Sequence, residues 1–366
     1  MFENKLKLGF GLMRLPKLED GSIDVEQTKT MVDMFLEAGG TYFDTAYAYE
    51  GSEDAIRKAL VERYPRESYT LASKLICMGN DINEEKAKQE LEISLNRSDA
   101  GYFDYYLLHA LQRSNYKYYD DFKLWDYVKE LKEKGLIKHY GFSFHADPEL
   151  LEELLEKHPD VDFVQLQINY ADMDNPGVCS RKNLEICKKH NKPVIVMEPV
   201  KGGILANPID SVKKIFDEEN NGLSYSSWAI RYVASLEGIH TILSGMSNIE
   251  QMKDNLSYMK DFKPLTDHEF EVIKKVQDAL NEDKNIACTA CHYCTKGCPM
   301  SIPIPEIFAV ENRKNGSPEF RTKREYAIVT NGKGKASDCI ACGQCESACP
   351  QHLPIIELLE KARVWE

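Results

Sequence analysis

Phe43-Asp44-Thr45-Ala46-Tyr47-Ala48-Tyr49 ends a short apolar run and opens a loop, and it sets a carboxylate and a phenol five residues apart at that change. Further on, Lys74 follows the apolar run Tyr69-Thr70-Leu71-Ala72, and His109 follows Tyr105-Tyr106-Leu107-Leu108. Each of these side chains is expected where a strand stops. Asp44, Tyr49, Lys74 and His109 would then converge at one mouth.

The pattern around that stretch sets the fold. Short apolar runs cover Lys7 to Gly11, Tyr42 to Thr45, Tyr69 to Ser73, Tyr102 to Leu108, His139 to Ser143, Phe163 to Ile168, Pro193 to Met197 and Thr241 to Ser244. Amphipathic helical stretches alternate with them, among them Val25 to Ala38, Glu53 to Arg63, Glu84 to Asn96, Asp121 to Lys134, Pro148 to Lys157, Ser180 to His190, Ser224 to Leu236 and Ile249 to Met259. Strict alternation of strand and helix implies a parallel sheet, and eight repeats over about 250 residues fit a closed (β/α)8 barrel. An open doubly wound sheet would need a glycine fingerprint after the first strand. Gly9-Phe10-Gly11-Leu12-Met13-Arg14 lacks its third glycine. The expected organisation is a barrel over 1–262, a connecting helix over 263–283 with a composition shift near Asn281-Glu282-Asp283-Lys284, and a second domain over 284–366.

Composition excludes several function classes. No apolar run nears the roughly 20 residues of a membrane-spanning helix, and Met1 to Lys5 has none of the features of a secretory signal. A cytoplasmic location is expected, with no membrane partner. The formal net charge of −13 argues against nucleic-acid binding, which needs clustered Lys and Arg.

The residue types at the mouth suit proton transfer to a carbonyl. A phenol with its usual pKa near about 10 is a poor acid at neutral pH, but a neighbouring ammonium stabilises the phenolate. A carboxylate keeps that lysine charged and in place, and an imidazole can orient a carbonyl oxygen. Taken singly, each has a structural reading: Asp44 as a cap, Tyr49 as core, Lys74 as a solvated strand end, His109 as an interior histidine. Jointly they are coherent chemistry.

Eight of the eleven cysteines lie from Cys288 onward. Cys288-x2-Cys291-x2-Cys294-x3-Cys298-Pro299 returns 51 positions later as Cys339-x2-Cys342-x2-Cys345-x3-Cys349-Pro350, and the flanks repeat as Ile302-Pro303-Ile304 and Leu353-Pro354-Ile355. Thiolates at this spacing suit iron-sulfur cubanes, and in the two-cluster pattern the fourth cysteine ligates the other cluster. One [4Fe-4S] cluster is thus expected on Cys288, Cys291, Cys294 and Cys349, the other on Cys339, Cys342, Cys345 and Cys298. Zinc modules seldom use this spacing twice. The charged stretch Glu311 to Lys335 reads as an exposed connection, and Cys77 as a buried thiol.

Residues 6 to 260 resemble the aldo-keto reductase family through Phe43-Asp44-Thr45-Ala46-x-x-Tyr49 with Gly51, Ser52 and Glu53, Ser73-Lys74, Leu107-Leu108-His109, Gly141-Phe142-Ser143, Gln165-x-Gln167-x-Asn169, Pro199 with Gly202-Gly203, and Gly245 with Gln251 and Asn255. The resemblance implies hydride transfer from NADP or NAD to an aldehyde or ketone, Tyr49 being the general acid, tuned by Lys74 and Asp44, with His109 orienting the carbonyl. It implies that Ser143 and Gln167 hold the nicotinamide carboxamide, and that Gly245, Gln251 and Asn255 receive the adenosine end. Phe144 and His145 stand where the family often has Asn, and Lys253 or Lys201 would have to serve a 2′-phosphate. Tyr47, Tyr116, Tyr118 and Tyr119 are candidates for a pocket wall. The tail resembles two-cluster ferredoxins, in an α-helical form. A small carbonyl compound is the expected substrate and a redox protein an expected partner. The alternative is an iron-sulfur electron-transfer or redox-sensing protein whose barrel is a docking or regulatory body.

Overall fold

The computed structural model describes residues 6–77, 82–219, 222–281, 285–314 and 318–366. Its strands are β1 (Leu8–Gly11), β2 (Tyr42–Asp44), β3 (Thr70–Ile76), β4 (Phe103–Leu111), β5 (Ile137–Phe144), β6 (Phe163–Gln167), β7 (Val194–Met197) and β8 (Ile239–Ser244). Each pairs in parallel with the next, and β8 returns to β1 to close the barrel. The expected (β/α)8 architecture is therefore present. Local chemistry sets the helix starts: Asp24, Asn83, Asp147 and Asn248 each accept a backbone N–H three residues ahead.

Side chains in a strand alternate between faces, so one buried cluster fixes the parity of every strand. Tyr42, Ala72, Tyr105, Leu107, Phe163, Ile195 and Leu243 pack together as one apolar layer. Two residues further along the same strands come Asp44, Lys74, His109, Gln165 and Met197, and then Gln167. The polar candidates thus share the face of that layer, displaced toward the strand C-termini. The intervening Phe43 packs on the other side against Phe10 and Phe35.

Strand ends differ from expectation in an instructive way. β3 continues to Ile76 and β4 to Leu111, so Lys74 and His109 lie within strands, near their ends. The ladder runs on through Lys74↔Leu107 and Ile76↔His109. A polar residue does not stop a strand when its side chain faces an interior partner. Gly141 shows how tightly the wall closes, since a Cβ there would meet Phe163 O at 2.3 Å. The single helix expected from Glu53 to Arg63 is an α-helical turn, Ser52–Ile56, followed by a wider π-helical segment, Arg57–Val61. Two further helices, Tyr116–Asp121 and Asp210–Glu218, were not anticipated.

The chain divides into two compact units. One comprises the chain up to Val200 together with Leu205–Gln277, the other Lys201–Ile204 together with Asp278–Glu366. The helix expected from Asp267 is present as Asp267–Asn281, and residues 282–284 of the expected composition shift lie outside the described residues.

In the second unit the helices Ile304–Arg313, Glu319–Val329 and Ile355–Ala362 enclose a core of Ile302, Ile304, Ile307, Phe308, Val310, Tyr326, Ile355, Leu359 and the cysteines. The stretch Glu311 to Lys335, expected as an exposed connection, is exposed over most of its described residues but is not irregular throughout. Glu311 ends a buried helix face, and the segment holds the helix Glu319–Val329, which buries Thr322 and Tyr326 four residues apart. Tyr326 Oη accepts the Ala336 N–H at 2.8 Å, which ties the following turn back onto the helix. Gly316, within that stretch, lies outside the described residues.

The 51-residue repeat extends to the backbone. Positive φ occurs at Ala290 and Ala341, at His292 and Gly343, and at Ser301 and His352. Left-handed residues other than glycine cost free energy and concentrate at functional loops. Both cysteine loops turn the same way at the same places, with a strained non-glycine residue in each half at Ala290 and Ala341 and at Ser301 and His352, and with Gly343 relieving the strain that His292 carries.

Candidate active site and cysteine cavities

Lys74 is a buried cation paired inside the barrel. Its ammonium is fully buried and donates to Asp44 Oδ1 at 2.5 Å and to Thr45 O at 2.6 Å. Burial pulls the lysine down from its ordinary range, and the Asp44 charge opposes that. The same burial raises Asp44, with Lys74 opposing it. Each charge is tolerable only because the other is present.

Tyr49 stands on the loop after β2, where a turn closes from Tyr49 N–H to Ala46 O at 3.0 Å. Its ring lies 4.8 Å from Lys74 Nζ and meets the His109 imidazole edge to face, centroids 5.8 Å apart. The four residues expected at the mouth are therefore side by side, and Tyr49 is the half-buried member of the set.

Ser143 is buried on β5, and its Oγ accepts the Ala110 N–H at 2.7 Å across to β4. Gln167 donates its amide to Asp172 Oδ2 at 2.8 Å, and Asn169 donates to the same oxygen at 2.8 Å. Asp172, fully buried, was not singled out in the sequence; it organises the end of β6. Gln165 was quoted in the family pattern without a role. It pairs with Ser143 across β5 and β6, and its Oε1 is buried without a hydrogen-bond partner. An orphaned acceptor on this face, beside Ser143, fits the N–H of a carboxamide.

At β8, Gly245 lies against Arg14, with an added Cβ coming 3.5 Å from the arginine side chain. Gln251 Oε1 accepts the Ser247 N–H at 2.7 Å. Asn255 donates to Ser244 Oγ at 2.7 Å and accepts from Tyr258 Oη at 2.5 Å. Gln251 and Asn255 thus shape the β8 loop at the N-terminus of the helix Ile249–Met259, a setting that favours anions. Lys253 is exposed on that helix, whereas Lys201 is buried in the second unit. Arg14, on the turn after β1, escaped the sequence reading because only the closed barrel brings β1 beside β8.

Of the rim tyrosines, Tyr119 is corrected to an interior residue: it is fully buried, its hydroxyl donates to His109 O, and it receives the Cys77 N–H at 3.2 Å. Tyr47 packs under Arg97 and Tyr118 stacks on Phe122. Cys77 is fully buried and burial pushes its thiol up to about 12.

The eight clustered cysteines line two cavities. Cys288, Cys291, Cys294 and Cys349 line one of about 320 Å³, together with Ile304, Phe308 and Leu353. Cys298, Cys339, Cys342 and Cys345 line the other, of about 330 Å³, with Met300, Ile340 and Leu359. Each cavity takes its fourth cysteine from the other half of the repeat. Burial raises the thiols of Cys294 and Cys349 above the ordinary range and pushes Cys345 up to about 11. The thiols surround space instead of meeting at a point: among the described residues no three or more His, Cys, Asp or Glu are grouped to hold a single metal ion.

Among curated proteins, an uncharacterised oxidoreductase of Bacillus subtilis, YqkF, is 24% identical, aligned over 76% of this chain and 97% of its own. The 9,11-endoperoxide prostaglandin H2 reductase of Trypanosoma cruzi is 28% identical, over 76% and 89%. Among solved structures, an aldo-keto reductase of Bacillus halodurans in its holo form superimposes with a TM-score of 0.59 at 25% identity, covering 74% of this chain and 91% of its own. Residues 287–353 match the 4Fe-4S dicluster domain. Residues 7–278 match the aldo/keto reductase family, and with its eight-stranded parallel barrel the chain belongs to that family of oxidoreductases.

Proposed function

We propose that the protein reduces an aldehyde or ketone with NADPH or NADH, using Tyr49 as general acid, and that its tail carries two [4Fe-4S] clusters. The observation that carries this reading is the buried Lys74, fixed by Asp44 and Thr45 O and set 4.8 Å from the Tyr49 ring.

The nicotinamide, when bound, supplies a hydride to the carbonyl carbon. Tyr49 Oη donates the proton that completes the alcohol, and Lys74 offsets the negative charge left on the phenol oxygen. Asp44 holds Lys74 charged and aimed. His109, buried on β4, fixes the direction from which the carbonyl oxygen approaches Tyr49. Ser143, Gln165 and Gln167 would hold the carboxamide, and the β8 loop shaped by Gly245, Gln251 and Asn255, with Arg14 beside it, would take the phosphates. In the tail, Cys288, Cys291, Cys294 and Cys349 would hold one cluster and Cys298, Cys339, Cys342 and Cys345 the other, each within a cavity walled by apolar side chains.

The test is NADPH and NADH oxidation against a panel of aldehydes and ketones, in the unmodified protein and in Tyr49→Phe. Loss of the phenol should lower kcat by about a hundredfold or more, while nucleotide binding, read by fluorescence, persists. Turnover unchanged in Tyr49→Phe would overturn the acid assignment.

A further inference from the structure

Glu53 lies in the helical turn Ser52–Ile56, four residues beyond Tyr49, and is 1% exposed. A carboxylate buried that deeply is costly unless it is hydrogen-bonded or ion-paired. Ser73 Oγ donates to its Oε1 at 2.8 Å, and Arg97 Nη1 stands 3.4 Å from its Oε2. The turn is fastened to the barrel beside it, because Ser52 Oγ donates to Leu12 O at 3.0 Å and lies 2.8 Å from Thr45 Oγ1.

Ser73 and Lys74 are neighbours on β3, so their side chains leave the strand on opposite faces. Lys74 reaches Asp44 inside the barrel, and Ser73 reaches Glu53 on the outer side. The buried ammonium is thus flanked by two carboxylates, one on each side of the strand. Burial pulls Lys74 down from its ordinary range and pushes Asp44 up, a drift toward a neutral pair in which Tyr49 would lose its cation. At Lys74 that drift is opposed first by Asp44 and then by Glu53. Attraction reaches across the strand because Ser73, Lys74 and Glu53 are all buried, where solvent and salt screen little. Other charged and titratable groups face Glu53 from the elements packed around it. Arg97, on the helix Glu84–Ser98, has a side chain 40% exposed and also donates to Tyr47 O at 3.3 Å. On the same helix burial pushes Glu90 up to about 8, and burial holds Tyr106 on β4 as a neutral phenol.

We propose that Glu53 is a positioning residue for the reduction, a second counter-charge that acts through β3 to keep Lys74 protonated beside Tyr49. The proposal rests on the reading that Tyr49 is the acid and Lys74 its cation. Glu53 acts through Lys74 and not on the substrate: it sets the pH up to which the Tyr49 and Lys74 pair keeps its proton. The sign follows from charge. Taking a negative charge from behind β3 makes the pair release that proton at lower pH, and taking the positive charge of Arg97 away does the reverse.

The test is kcat against pH in the full-length protein, at saturating nucleotide, with the aldehyde or ketone that the panel shows to be turned over fastest. In Glu53→Gln the alkaline limb should move down by about one pH unit. In Glu53→Asp, which keeps the charge, it should stay where it stands in the unmodified protein. Arg97→Met should move the limb up, by less, since that charge is half-exposed and partly screened. Arg97→Met changes only a half-exposed side chain, so it carries the test by itself where Glu53→Gln fails to fold. The shifts should persist in a Glu90→Gln background, so that Glu90 cannot be their source. Structural loss alone is measured by Asp104→Asn, which breaks buried bonds from Arg66 at 2.7 Å and Lys138 at 2.8 Å and should leave the limb in place. A limb unmoved in folded Glu53→Gln, or unmoved in Arg97→Met, would overturn the proposal while Tyr49→Phe stays inactive. So would an equal shift in Asp104→Asn, or shifts that vanish in Glu90→Gln. Turnover unchanged in Tyr49→Phe would instead defeat the acid assignment, and the role of Glu53 with it.

Discussion

Lys74 Nζ and Asp44 Oδ1 stand 2.5 Å apart inside the barrel, with neither side chain reaching solvent. Removing one partner of a buried pair leaves the other charged and unmatched, at a cost of about 3–5 kcal/mol. Lys74→Met and Asp44→Asn should each lower the barrel's thermal midpoint sharply. The double variant should recover much of that stability while staying inactive, because the phenol has lost its cation. Differential scanning calorimetry beside turnover assays checks both halves; a double variant no more stable than the singles would contradict the pairing argument.

Glu90 is buried behind β3, where it accepts the Ile76 N–H at 2.7 Å, and burial pushes its carboxyl up to about 8, with nearby Glu53 raising it and Arg97 opposing. Between its unfolded pKa near 4.5 and its folded value of about 8, the folded chain holds a proton that the unfolded chain has released. Stability therefore falls as pH rises through that window. Glu90→Gln keeps the acceptor and removes the titration. It should stabilise the barrel by about 1–3 kcal/mol at pH 8 and have little effect near pH 4, as read from denaturant midpoints at the two pH values.

Arg14 lies against Gly245 at the β8 loop, and its guanidinium stands 3.9 Å from the Glu198 carboxylate. A guanidinium there can reach a phosphate of the nucleotide. Arg14→Ala should raise KM for NADPH by roughly tenfold, the worth of a charge-assisted hydrogen bond, and leave kcat nearly unchanged. A larger rise for NADPH than for NADH would locate the contact at the 2′-phosphate.

Cys349 lines the cavity of Cys288, Cys291 and Cys294, across the repeat from its own motif. Cys349→Ser should remove the centre held by the first motif and retain the other, halving the iron content. Cys298→Ser should do the reverse. Low-temperature EPR after reduction distinguishes the two, and loss of the second-motif centre in Cys349→Ser would exclude the crossed arrangement. Stripping iron from both should unfold the tail, since the helices around Ile307 and Leu359 pack directly on the cysteines.

Much of this was legible in the chain itself. The alternation of apolar runs and amphipathic helices implied the barrel, because strand period and helix period leave different marks. The 51-residue cysteine repeat implied paired sites, because ligand spacing is local. Asp44, Lys74 and His109 could be picked out by residue type and by their places at or after apolar runs, while the two-residue offsets from Tyr42, Ala72 and Leu107 that put them on one face gained meaning only from the packed layer. What the sequence could not decide was where a strand ends when a polar side chain has an interior partner, which is why β3 and β4 run past Lys74 and His109. Nor could it show that Asp172 gathers Gln167 and Asn169, that Gln165 is left with an open acceptor, or that Arg14 lies beside Gly245. Those relations depend on barrel closure and sheet register, which join residues far apart in the chain through contacts that no local pattern encodes.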